Sequence, residues 1–155
     1  MGIEERVVQH AVNKGVAVSC AESCTGGLIA HRLTNVPGAS EAFMGGLVAY
    51  SNAVKRQLLG VPQQTLEDVG AVSAEVATSM AGGARTLLGA DYAVGVTGIA
   101  GPGGGTPEKP VGLVYIAAAG PDGTRVRRHV FEGPREAVKA QAAEAALRMM
   151  EELLA

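Results

Sequence analysis

The run Val16-Ala17-Val18-Ser19-Cys20 is rich in β-branched and small residues and shows no polar alternation. That is the pattern of a strand covered on both faces of a sheet, and it requires helices above and below. The rest of the chain supplies them. Ile3 to Lys14 places Ile3, Val7, Val8, Ala11 and Val12 at near-helical spacing and stops at Gly15. Thr25 to Leu33 carries an apolar stripe of Leu28, Ile29 and Leu33 and should end near Pro37-Gly38. A second apolar stretch, Phe43 to Tyr50, leads into a short helix that Ser51 or Asn52 can cap and Gly60 can close, with Lys55 about one turn inside it.

Further on, Ser73 resembles a cap for a long helix buried through Val76, Ala77, Met80, Ala84, Leu87 and Leu88 and ending at Gly89. Asp91 to Val96 and Val111 to Ala118 read as strands flanking a glycine-rich loop, Gly98 to Pro110, and Arg125 to Phe131 as a hairpin-like strand. Pro134 to Leu153 forms the last helix, with Val138, Ala142, Ala145, Met149 and Leu153 on one face. The alternation predicts an α/β fold, a three-layer sandwich in which helices cover a mostly parallel, mixed sheet, with an antiparallel piece within Val111 to Phe131. At 155 residues it predicts one domain over 1–155.

Several functional classes are disfavoured. A net charge of -2, with basic residues scattered apart from Arg125, Arg127 and Arg128, gives no broad footprint for nucleic acid. The apolar residues fall in short runs, far from the roughly 18 uninterrupted positions of a membrane span. Met1 to Gln9 carries Glu4, Glu5 and Arg6 and does not resemble a secretory signal, so a cytoplasmic location is expected. Cys20 and Cys24 read as free thiols, and the separated His10, His31 and His129 offer no metal spacing, so neither metal nor cofactor is expected.

Ligands of open α/β sheets bind beyond the carboxyl ends of strands, which directs attention to Ser23 and to Thr97-Gly98. Ser23 precedes Cys24-Thr25-Gly26-Gly27 at a helix start, where free backbone N–H groups favour a phosphate or a developing oxyanion. A serine in that position is most often an N-cap, and the segment by itself favours the cap. A nucleophile needs a base, yet His31 falls in a helix and His129 in a strand beside arginines. A lysine is the remaining choice, provided burial or positive charge lowers its pKa. Lys55 is the candidate for that role, near Tyr50, whose hydroxyl would orient the amine or the substrate; a solvated surface lysine is the plainer alternative, and Lys109 is the fallback base.

The loop Thr97-Gly98-Ile99-Ala100-Gly101-Pro102-Gly103-Gly104-Gly105 has neither the Gly-Lys-Ser/Thr end of a P-loop nor a dinucleotide fingerprint, which removes ATPase and dinucleotide readings. It is either a connector or a substrate cradle, with Lys109 and Arg135 available as positive charge for a phosphate.

Taken together, Glu22-Ser23-Cys24-Thr25-Gly26-Gly27, Tyr50-Ser51-Asn52 with Lys55, Thr97-Gly98-Ile99-Ala100-Gly101-Pro102 and Lys109-Pro110-Val111-Gly112 resemble the CinA C-terminal family over nearly the whole chain. The resemblance implies a nicotinamide-nucleotide amidase that converts nicotinamide mononucleotide and water to nicotinic acid mononucleotide and ammonia. It implies a serine–lysine dyad of Ser23 and Lys55, with Cys24, Thr25, Gly26, Gly27, Tyr50, Thr97, Gly98, Gly101 and Arg135 around the oxyanion and the substrate. It also implies a homodimer or higher homo-oligomer.

Two departures from the family are visible. The additional N-terminal domain of longer members is expected to be absent, and with it their pyrophosphatase activity. Arg135 matches an arginine of the family's late stretch, whereas Lys139 departs from that arginine-rich pattern. A non-catalytic nucleotide-binding or regulatory module stays open as an alternative. A serine–lysine peptidase is disfavoured because no Ser-x-x-Lys motif occurs.

Overall fold

The computed structural model describes residues 1–155. Helix α1, Ile3–Lys14, buries Ile3, Val7, Val8 and Ala11, and Gly15 closes it in the left-handed conformation. Strand β1, Val18–Glu22, is buried at every position, as the unalternating run requires. It begins two residues later than Val16, because the Ala17 N–H donates to the Asp91 carboxylate at 2.8 Å. A turn over residues 23–27 leads to helix α2, Leu28–Thr34. The helical stripe read from Thr25 starts late because Gly26 and Gly27 hold φ of 60° and 103°, outside right-handed helix.

Strand β2, Phe43–Val48, follows a single 3-10 turn at Ala39–Glu41. In helix α3, Asn52–Leu59, Ser51 is the cap, its Oγ accepting from the Val54 N–H at 3.1 Å, and Gly60 ends the helix. Helix α4, Gln63–Val69, was not anticipated: Leu66 is its only buried residue, too little periodicity to read. Helix α5, Ala74–Leu88, is capped by Ser73, whose Oγ accepts from the Val76 N–H. Strands β3, Tyr92–Gly98, β4, Leu113–Gly120, and β5, Gly123–Val130, precede helix α6, Arg135–Leu154.

The strands form one mixed sheet in the order β2-β1-β3-β4-β5. β1 runs parallel to β2 and β3, and β4 is antiparallel to both of its neighbours, so it alone opposes the common direction. Helices α1, α2 and α6 share a large core with one face, through Val18, Cys20, Val94, Val96, Val114 and Ile116. Helices α3, α4 and α5 cover the other, with Met80 and Ala84 packed near Ala21 and Ala93. There α5 lies directly on the backbone of β3: a methyl added at Gly95 would come within 2.5 Å of the Ala81 nitrogen. The exposed strand β5 carries Arg125, Arg127 and Arg128, and charge on an edge strand blunts strand-to-strand association. Arg127 pairs with Glu152 at 2.6 Å. No helix is long and apolar enough to cross a membrane.

Topology determines where a ligand can enter. The connection after β1 passes through α2 to one face, and the connection after β2 passes through α3 to the other, so a crevice opens at their carboxyl ends. The parallel registers Glu22↔Val48 and Glu22↔Val96 bring the three strand ends level. Ser23, Tyr50 and Thr97 therefore emerge at the same rim.

Candidate active site

The cleft at this rim has a volume of about 270 Å³, and Ser23, Cys24, Tyr50, Lys55, Thr97 and Gly98 line it together with Gly101 and Arg135. Ser23 leaves β1 with its N–H donating to the Val96 carbonyl at 3.0 Å, which ties the turn to β3. Lys55, on α3, reaches across from a position 2% exposed. Its Nζ lies 3.0 Å from Ser23 Oγ and donates to the Tyr50 carbonyl at 3.1 Å.

No carboxylate accompanies this amine. Burial pulls its pKa below the ordinary lysine range, opposed in part by the neighbouring Cys24 sulfur. A lysine so placed holds a larger neutral fraction near neutral pH and can accept a proton from the hydroxyl beside it. Only the neutral amine does so, so activity should fall on the acid side. A plot of log(kcat/KM) against pH is expected to rise with unit slope to a plateau, with the midpoint below an ordinary lysine's; a profile flat through that range would contradict the assignment.

The other nucleophile in the cleft is excluded by its own environment. Burial pushes the Cys24 thiol up to about 11, so it stays protonated near neutral pH. Histidine chemistry is absent from the cleft as well: His31 is exposed on α2, and His129 stacks on Phe131 with ring centroids 4.9 Å apart.

The turn behind Ser23 differs from the simple helix-start anion site read from sequence. Glu22, 1% exposed, folds its carboxylate back over α2 and accepts from the N–H groups of Gly27 at 3.2 Å, Ile29 at 2.9 Å and Ala30 at 3.0 Å. The Gly26 N–H donates to the Ser23 carbonyl. The start of α2 is thus already occupied by an internal anion, and the amides of Cys24 and Thr25 are the two in the turn that donate to no protein acceptor. Thr25, Gly26 and Gly27 line a separate hollow on the far side of the turn, with Leu28, His31, Glu136 and Lys139. Glu22 had a visible signal, an acidic residue ending an otherwise apolar strand shortly before two glycines, but the N–H donors it accepts from lie at the start of a helix whose position had to be known.

The remaining residues sort by geometry. The Tyr50 hydroxyl does not orient the lysine: it accepts from Arg135 Nη2 at 3.2 Å, while Arg135 Nη1 donates to the Gly101 carbonyl at 2.7 Å. Arg135 thus straps the glycine-rich loop to the end of β2. Thr97 Oγ1 donates to the Ala71 carbonyl at 2.8 Å and holds the loop before α5 against the cleft. The fallback base, Lys109, lies outside the cleft; its Nζ donates to the Val69 carbonyl at the end of α4. Asn52, Ile99, Gly103 and Gly104, from segments already singled out, also line the cleft, as do Ala71 and Val72, which no motif marks in advance.

Fold and site define an α/β domain with a buried serine–lysine pair at the carboxyl ends of its parallel strands. The chain belongs to the CinA C-terminal domain family, whose model matches residues 1–154. A CinA-like protein from Geotalea uraniireducens is 58% identical over 125 residues, 81% of this chain and 30% of that protein. The chain spans about a third of the length of the curated relatives it matches. Among solved structures, a competence-damaged protein (CinA) superfamily protein from Klebsiella pneumoniae 700603 is similar with a TM-score of 0.94 at 36% identity, covering 98% of this chain and 95% of that one. The competence/damage inducible protein CihA from Agrobacterium tumefaciens is similar with a TM-score of 0.89 at 42% identity, covering 99% and 96%.

Proposed function

We propose that this domain is an amide hydrolase that deamidates nicotinamide mononucleotide through a Ser23–Lys55 dyad. The observation that carries the reading is the 3.0 Å approach of Lys55 Nζ to Ser23 Oγ inside a cleft, with no carboxylate to keep the amine charged. The nucleotide itself is carried over from the resemblance of the four motif segments to the family.

In the acylation step neutral Lys55 takes the hydroxyl proton as Ser23 Oγ bonds to the carboxamide carbon, and the carbonyl oxygen becomes an oxyanion facing the Cys24 and Thr25 amides. The carbon–nitrogen bond then breaks, the Lys55 ammonium gives its proton to the leaving nitrogen, and ammonia departs. Water, deprotonated by Lys55, attacks the ester carbon. The carbon–Oγ bond breaks, Ser23 recovers the proton and the acid product leaves. Arg135 and the backbone of the glycine-rich loop stand at the rim, where the ribose phosphate would lie.

Ammonia release from nicotinamide mononucleotide, nicotinamide riboside and free nicotinamide, together with peptide release from casein, tests the assignment. Turnover is expected with the nucleotide, at least about tenfold above the riboside, and no release from casein. Binding of the nucleotide without turnover would replace this reading by a ligand-binding module, and cleavage of casein by a peptidase.

A further inference from the structure

Building on the serine–lysine reading, we infer that Lys139 is a positioning residue for the oxyanion, a fixed cation held against the back of the Ser23 turn. Two amines flank this turn. Lys55 approaches from the cleft, and Lys139, half-buried on α6, approaches from the hollow of about 380 Å³ on the other side. Its Nζ stands so close to Gly26 that a methyl added there would lie 3.5 Å away. Gly26, with φ of 60°, provides both the turn and the room for this approach.

Lys139 has no ion-pair partner; the chain's ion pairs are made by other residues. Thr25 shares the hollow, is 1% exposed, and its hydroxyl has no hydrogen-bond partner. The Lys139 side chain stands behind the turn whose Cys24 and Thr25 amides are the two free donors.

The need for such a cation follows from Glu22. An acidic side chain buried directly under the turn opposes any negative charge forming above it. Before attack Lys55 is neutral, and Arg135 is committed at the exposed rim to Gly101 and Tyr50. Lys55 becomes a cation only as it takes the Ser23 proton, on the cleft side, so Lys139 is the cation that stands behind the turn before and during attack, without contact with the reacting atoms. Glu136, in the same hollow, makes no ion pair with it.

Phenylboronic acid is the probe, because it is neutral in solution and becomes a tetrahedral anion when Ser23 Oγ adds to boron. The full chain, Lys139→Gln and Lys139→Arg are compared for inhibition by this compound and for kcat and KM with nicotinamide mononucleotide. Loss of the charge is expected to weaken boronate affinity and lower kcat by about tenfold, as removal of one partly screened charge near an oxyanion does, with KM within about twofold. Lys139→Arg should recover most of both.

A raised KM with unchanged boronate affinity overturns the inference and makes Lys139 a contact of the substrate's phosphate. Equal kcat and boronate affinity in parent and glutamine variant overturn it while leaving the dyad intact. Failure of the boronate to inhibit even the parent overturns the nucleophile assignment and this inference with it.

Discussion

Replacing Lys55 by methionine is expected to reduce amide hydrolysis by at least about a thousandfold while making the protein harder to melt. The two effects share a cause. A lysine that is 2% exposed, with only a hydroxyl and a carbonyl for company, carries an uncompensated desolvation cost whenever it is protonated. Its pKa in the folded chain lies below that of the unfolded chain, so between the two values the unfolded chain binds more protons. Stability therefore rises with pH through that window, and below the folded pKa the penalty is present in full. Methionine fills much of the same volume without a charge, and near neutral pH it should add about 1 kcal/mol, raising Tm by about 2–4 °C. Differential scanning calorimetry at neutral pH and again near pH 10 checks the sign, because the advantage should shrink at the higher pH. A Tm lowered by several degrees would show that the amine stabilises the fold, contrary to this account.

Glu22→Ala is expected to have the largest effect on stability of any single change around the site. It leaves the N–H groups of Gly27, Ile29 and Ala30 without their acceptor inside the protein and empties a buried position. Losing charge-assisted bonds to one buried and two part-buried donors costs about 3–5 kcal/mol, equivalent to a fall in Tm on the order of 10 °C. The same change frees the turn that carries Ser23, so activity should drop even at temperatures where the variant is folded. Glu22→Gln keeps one acceptor oxygen and should fall between the two. A melt within about 2 °C of the parent for the alanine variant would mean that α2 does not depend on this carboxylate.

The parts of this molecule that were legible in sequence are those set by local chemistry. Val18 to Cys20 could only be a doubly covered strand, Ser51 and Ser73 announced their helices by capping, and Gly15, Gly60 and Gly89 ended theirs in left-handed turns. Helix α4 was hidden because seven residues with one buried leucine carry no period. Helix α2 starts later than the reading because the apolar stripe of Leu28, Ile29 and Leu33 does not reveal that Gly26 and Gly27 lie outside the helical region.

The site was legible in composition and hidden in geometry. Ser23 and Lys55 are 32 positions apart, and what joins them is the parallel register of β1 with β2, which no local pattern encodes. The same limit hid the commitment of Lys109 to the end of α4 and the strap that Arg135 makes across the cleft, since both depend on long-range packing. Glu22 and Lys139 were in plain view as residues. The donors that Glu22 accepts from and the neighbours of Lys139 became readable only once the turn had a shape.

The central claim is that Ser23, activated by Lys55, attacks a carboxamide. Its most direct test is ammonia release from saturating nicotinamide mononucleotide by the parent and by Ser23→Ala, with circular dichroism confirming that the variant is folded. The account predicts steady release from the parent and at least about a thousandfold less from the variant; release from a folded Ser23→Ala protein at the parent's rate would contradict it.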